Sequence, residues 1–229
     1  MVRGDLCELA EVAAMAARIG DLTDRVDLLI NNAGGMRDQM ALTSEGNEVT
    51  FAGNHLGHFL LTARLLPLLR KAAQDRAPGE VRVVSVSSRA HEHAPPIDWD
   101  DIQTTADWSS HNSYGRVKLY NILFARELGR RVASDEIRSH ALHPGVVDTN
   151  FPAHGSQALR DYWVTAQKVS AADAASDLLW VARSAEAGES TGGYFSERRP
   201  VVPTGQAVDD IAAEKLWQQS EALVERAGF

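Results

Sequence analysis

The sequence predicts an α/β protein built as a doubly wound, Rossmann-like parallel sheet. Three observations predict it. Short apolar runs of strand length alternate with longer stretches of helical periodicity. The strand-like runs end in small, polar or glycine-bearing residues. No repeat, low-complexity tract or linker divides residues 1–229, so a single domain is expected. Alternation of this kind implies right-handed crossovers and a sheet covered on both faces.

The elements follow in order. Leu9, Val12, Ala16 and Ile19 recur at helical spacing, and VDLLINNA is an apolar run that empties into a glycine turn. A long helical segment is expected from about Ser44 to Ala73, with Val49, Leu56, Phe59, Leu60, Leu66 and Leu69 available for its buried face. Valine-rich VRVVSVSS reads as a strand. Asn112 to about Val132 reads as a helix, and RSHALHPGVV as a strand that ends at proline and glycine. SAADAASDLLWVARSA is a capped helix, GGYFSER a last short strand, and Asp209 to Arg226 a terminal helix.

Composition narrows the function classes. At 229 residues, 44% hydrophobic and 24% charged, the chain has the apolar mass for one core. A net charge of −8 with scattered basic residues argues against nucleic acid as a partner. The single cysteine, Cys7, leaves no internal disulfide and no cysteine cage for a metal, and suits a reducing cytoplasm, the expected location. No apolar run is long enough to span a bilayer. His91 and His93 lack a second cluster of ligands, so no metal is expected. His55 and His58, one helical turn apart, are expected at the surface or an interface.

Ligands of such sheets bind beyond the carboxyl ends of the strands. Here those ends are NNAG (Asn31 to Gly34), SVSS (Ser85 to Ser88) and HPGVVDT (His143 to Thr149). On the helix after the second of them, NSYGRVK sets Tyr114 and Lys118 at i and i+4, on one face. An ammonium near a phenol favours the phenolate, which would bring the tyrosine toward the range of a general acid/base, and a serine hydroxyl at the neighbouring strand end could orient a carbonyl or alcohol oxygen.

Five motifs in this order, NNAG, NHLGHFLLT, VVSVSS, YGRVK and HPGVVDT, make the sequence resemble the short-chain dehydrogenase/reductase family. The phrases NHLGHFLLTARLL and HEHAPPIDWDDI and the tail LWQQSEALV resemble its retinol-dehydrogenase-like branch, which includes the WW-domain oxidoreductases. The resemblance implies NAD(P)-dependent interconversion of an alcohol and a carbonyl compound, with the branch tipping the cofactor slightly toward NADP. It implies Tyr114 as proton donor or acceptor, Lys118 as the group that lowers its pKa and binds the nicotinamide ribose, Ser88 as holder of the substrate oxygen, and Asn54 as anchor of a proton-relay water. Asp5, Leu6, Asn32, Ala33 and Gly34 would line the adenosine side of the cofactor. Pro144, Gly145, Val147 and Thr149 would line the nicotinamide side. Asn150 to Lys168, with Phe151, Tyr162 and Trp163, would be a substrate lid whose aromatics suit a bulky apolar compound, and the Asn54 and Tyr114 helices would pair in a homo-oligomer.

The family's opening strand, TGxxxGxG turn and helix have no counterpart in the sequence. By that resemblance the chain is truncated at its N-terminus by roughly sixty residues, the length of two strands and two helices in such a fold. VRGDL would then be the end of the family's third strand, and VDLLINNA would lack one neighbour unless Val2 to Leu6 moved beside it or a partner supplied the edge. The alternative function is accordingly a non-catalytic fragment or pseudoenzyme acting, if at all, through protein association.

Overall fold

The computed structural model describes residues 1–229, the side chain of His154 excepted. Helix α1 (Leu9–Leu22) leads to strand β1 (Leu28–Asn31). A short α2 (Val49–Phe51) continues through a π-helical turn, Ala52–Leu56, into α3 (Gly57–Gln74). Then come β2 (Arg82–Val86), α4 (Ser110–Arg131), β3 (Arg138–His143), α5 (Gln157–Thr165), α6 (Ala171–Arg183) and α7 (Ala185–Gly188). A hairpin of β4 (Tyr194–Ser196) and β5 (Arg199–Val201) precedes α8 (Asp210–Arg226).

The five strands form one sheet in the order β1-β2-β3-β4-β5. The first three pairings are parallel and the last antiparallel. Because successive side chains on a strand point to opposite faces, each strand serves two cores. Val83, Ala141 and Tyr194 face the large cluster formed with α3, α4 and α8. Their neighbours Val84, Leu142 and Phe195 face a small cluster with Val181 and Ala182 of α6 and Ala187 of α7. This is the expected Rossmann-like sheet with helices on both faces.

One crossover departs from expectation. Strand order is monotonic, with α3 and α4 on one face and α6 on the other, so the β3-to-β4 connection has the opposite hand to its two predecessors, against the general rule. On that face Arg82, reaching from β2, donates to the carbonyls of Val181 at 2.8 Å and Ser184 at 2.6 Å and so caps the end of α6.

Other expectations are corrected at the boundaries. The long helix starts at Val49, not near Ser44, because Thr43 to Asn47 close a tight turn: Thr43 N donates to Asn47 O at 2.8 Å, and Gly46 takes a φ of +81°. Glu48 then caps the helix by accepting from Phe51 N at 2.7 Å. Val2 to Leu6 form no strand, and β1 pairs with β2 alone. The outer face of α4 is covered by α8 of the same chain: Trp217 stacks on Phe124 at 5.8 Å and meets Phe59 edge-on at 4.8 Å. His55 and His58, expected at the surface or an interface, are buried in the chain's own core at 1% and 4% exposed. His55 sits among Phe51, Phe59, Tyr120 and Phe124 and bonds to Ser220 at 2.9 Å.

Candidate active site

An open cleft of about 2170 Å³ lies beyond the carboxyl ends of the parallel strands. Every site residue expected from the sequence lines it. Asn54, Ser88, Tyr114 and Lys118 form its middle. Asp5, Leu6, Asn32, Ala33 and Gly34 lie along one side, and Pro144, Gly145, Val147 and Thr149 along the other. Residues as far apart in the chain as Leu6 and Leu179 of α6 are thus gathered at one end of the sheet, where Ser85 stands beside Asn31 on one flank and Ala141 on the other.

Tyr114 and Lys118 project from one face of α4, which Ser109 caps by accepting from Asn112 N at 3.1 Å. Lys118 is 4% exposed, and its Nζ donates to the Val86 carbonyl at 3.2 Å. Its backbone carbonyl accepts from Ser87 Oγ at 2.6 Å. Ser87 is therefore the serine that fixes β2 to α4, while Ser88, half-buried at the cleft, accepts from Ala90 N at 3.2 Å. Burial pushes the Lys118 ammonium down to about 8.

Burial pushes the Tyr114 phenol up, and the Ser88 side chain is the group that offsets it. The expected lowering by Lys118 is not found, for a geometric reason. The ammonium is tied to Val86 O and lies over the Tyr114 ring, 5.4 Å from its centroid, so it acts on the π face more than on the hydroxyl.

Asn54 stands in the π turn and is 3% exposed. Its Oδ1 accepts from Gly35 N at 3.2 Å, and its Nδ2 donates to Gly35 O at 3.0 Å and Thr50 O at 2.8 Å. The side chain clamps the loop after β1. A Cβ at Gly34 would collide with Asn54 Oδ1 and come within 3.5 Å of Lys118 Nζ, so glycine is required there by close approach. His58 Nδ1 donates to the Asn54 carbonyl at 3.1 Å, and its pKa is driven down to about 4 by burial and then by Lys118. Two further glycines seat the N-terminal segment: Gly53 faces Cys7 Sγ, and Gly57 faces the Leu6 carbonyl.

The expected lid contains α5 and carries an aromatic wall. Phe151 meets Tyr114 edge-on at 5.5 Å, and Trp163 stacks on Phe151 at 5.4 Å. Tyr162 is exposed instead. The base of this segment is pinned by backbone bonds from Asp148 N to Val169 O and from Val169 N to Val146 O, both at 2.9 Å. Among the described residues no group of three or more histidines, cysteines or acids could hold a metal ion. His91, singled out in the sequence, is buried and bonds to Ser88 O at 2.7 Å. Gly35 lines the cleft and was missed, as was Glu48, buried behind it at the start of the helix that carries Asn54. Glu48, an acid at a helix start six residues before Asn54, carried a capping signal that could have found it.

The chain matches the family described as Enoyl-(Acyl carrier protein) reductase over residues 1–183. Retinol dehydrogenase 13 of Homo sapiens is 36% identical over 230 residues, covering 96% of this chain and 67% of that protein. Retinol dehydrogenase 14 of Homo sapiens is 35% identical over 225 residues, covering 96% and 65%. The chain thus spans about two thirds of the length of these relatives. A crystal structure of an uncharacterized protein from Mycobacterium Paratuberculosis superposes with a TM-score of 0.73 at 32% identity, covering 96% of this chain and 74% of that one.

Proposed function

The chain belongs to the short-chain dehydrogenase/reductase family, and from that premise we propose that it interconverts an alcohol and a carbonyl compound with NAD(P) as cofactor. The observation that carries this reading is the meeting of Tyr114, Lys118 and Ser88 in one cleft, with Tyr114 and Lys118 on one helical face. In the reducing direction the Tyr114 hydroxyl gives its proton to the substrate oxygen, and Ser88 Oγ holds that oxygen by a hydrogen bond. Lys118 carries its positive charge below about pH 8, which places a cation beside the phenolate that this transfer leaves. The nicotinamide, when bound, supplies or receives the hydride.

The residues present fit the two ends of such a cofactor. The turn Asn32 to Gly34 lines the cleft at the adenosine end, together with Asp5 and Leu6. At the nicotinamide end, Gly145 takes a φ of +84° and turns Pro144, Val147 and Thr149 along the cleft. The sequence holds no TGxxxGxG turn for the diphosphate. NADP is taken as the better of the two cofactors from the branch resemblance alone. The substrate is an apolar aldehyde, ketone or alcohol, in keeping with the Phe151–Trp163 wall above Tyr114. A cytoplasmic location belongs to the same proposal, and among the described residues no helix is long and apolar enough to cross a membrane. The test is oxidation of NADPH by the purified chain with a series of long-chain and aromatic aldehydes. Turnover that Tyr114→Phe removes is expected, and turnover indifferent to that substitution would overturn the reading.

A further inference from the structure

We propose that Glu48 is a positioning residue that holds the two helical arms of the site, one bearing Asn54 and the other Tyr114, at a fixed separation; the inference rests on the role given above to Tyr114. Glu48 is 0% exposed. Its Oε2 accepts from Phe51 N at 2.7 Å, at the start of the helix that runs into Asn54. The same oxygen accepts from Ser113 Oγ at 3.1 Å, and Ser113 immediately precedes Tyr114. Oε1 accepts from Trp108 Nε1 at 3.2 Å, on the segment that leads into α4. The Glu48 backbone N–H donates to Gln103 Oε1 at 2.7 Å, and Gln103 Nε2 returns a bond to Asn47 Oδ1 at 3.3 Å. One side chain is therefore bonded to both arms and to the loop between them.

A helix cap needs one acceptor oxygen and sits well in water. Here three donors converge on a buried group, and all three are satisfied only by a side chain that accepts on both oxygens. Glutamine has the same shape but points an amide NH₂ at a donor in either orientation, toward Trp108 Nε1 or toward Phe51 N, and an opposed pair of buried donors is costly. The strain would travel to the site along short routes. On one side Phe51 and Thr50 lead to Asn54, which bonds Thr50 O and clamps Gly35. On the other, Ser113 leads directly to Tyr114.

Steady-state kinetics of the full chain with NADPH and an apolar aldehyde test this. Glu48→Gln is expected to lower kcat by about ten- to a hundred-fold, the scale of a small misplacement of reacting groups, with the substrate KM within about two-fold of the parent. Adding Trp108→Phe removes the opposed donor and is expected to restore most of that loss. A kcat for Glu48→Gln within about two-fold of the parent, well short of a misplacement, or a double variant worse than the single one, overturns the proposal. Ser113→Ala, which leaves the carboxylate, its cap and its indole contact in place, decides the matter if Glu48→Gln does not fold: a several-fold fall in kcat is expected, and an unchanged kcat overturns it. Amide hydrogen exchange gives a readout independent of turnover. Glu48→Gln should speed exchange across both 49–56 and 110–118, and faster exchange confined to Phe51 refutes the coupling. Should the parent itself show no turnover, the role of Tyr114 fails, and the exchange result still decides that of Glu48.

Discussion

The two faces of the sheet are built to different depths. On the face of α3, α4 and α8 a single cluster joins thirty buried apolar residues, with Phe59, Phe124 and Trp217 in mutual contact. On the face of α6 and α7 the cluster has six. Tyr114, Lys118 and Asn54 all hang from the deep face, where close packing and buried hydrogen bonds hold them in place. The shallow face contributes Leu178 and Leu179 of α6 to the cleft, the latter 49% exposed. The groups proposed for chemistry are thus anchored in the more extensively packed half, and the other half offers apolar surface to the cleft.

The contrast can be broken most directly at the site. Tyr114→Phe is expected to lower turnover by ~10²–10⁴-fold, the usual span for a general acid/base, while leaving the urea midpoint where it was. A variant that lost activity only by unfolding would show that Tyr114 belongs to the core and not to the chemistry. Next in size, Phe124→Ala on the deep face should cost about 3–5 kcal/mol of stability, because Phe59, His55 and Trp217 enclose the ring and cannot all collapse into the space. Val181→Ala on the shallow face, although its side chain is fully buried, should cost only about 1–2 kcal/mol, since α6 packs over a small cluster and can shift. Equal costs from denaturant melts of these two variants would erase the distinction.

The smallest effect concerns pH. His140, on the shallow side, donates from Nε2 to Ala187 O at 2.8 Å and accepts at Nδ1 from Gly193 N at 3.2 Å, so it is held neutral, and burial lowers its pKa to about 4. The folded value lies below the unfolded one of about 6.5, so its stabilisation is complete above pH 6.5 and declines as pH falls toward 4. Buried His55 and His58 act in the same direction on the deep side. His140→Gln should keep the bond to Ala187 O yet flatten the stability-against-pH slope between pH 6 and 4 by about 1.4 kcal/mol per unit. Melts across that range check it, and an unchanged slope would remove His140 from the titration.

The parts legible in the sequence were those with local causes. Ser170 and Asp209 cap α6 and α8 as their positions suggest, the first accepting from Asp173 N and the second from Ile211 N. The three parallel strand ends are marked by their own residues. What escaped was set by tertiary context. Strand β5 is exposed along its length, and its hairpin turns on Glu197 and Arg198, which take φ of 51° and 58° without the asparagine or glycine that usually announces such a turn. His55 and His58 look like surface residues until α8 is seen to close over α4. The grip of Val86 O on Lys118 depends on a backbone carbonyl that no side-chain motif records.

The π turn at Ala52–Leu56 has one more consequence. A turn with an extra residue joins two helical stretches whose phases differ by about 100°, the rotation per residue in an α-helix. Upstream, Phe51 points into the deep core, and downstream Phe59 and Leu60 do the same, while Asn54 between them is aimed at the cleft. The count of residues from Glu48 to Phe59 is thus a dimension of the protein in its own right. Side chains within the span can be exchanged without altering it, but inserting or deleting a single residue would rotate one half of the helix against the other, and either the core aromatics or the Asn54 amide would face the wrong way.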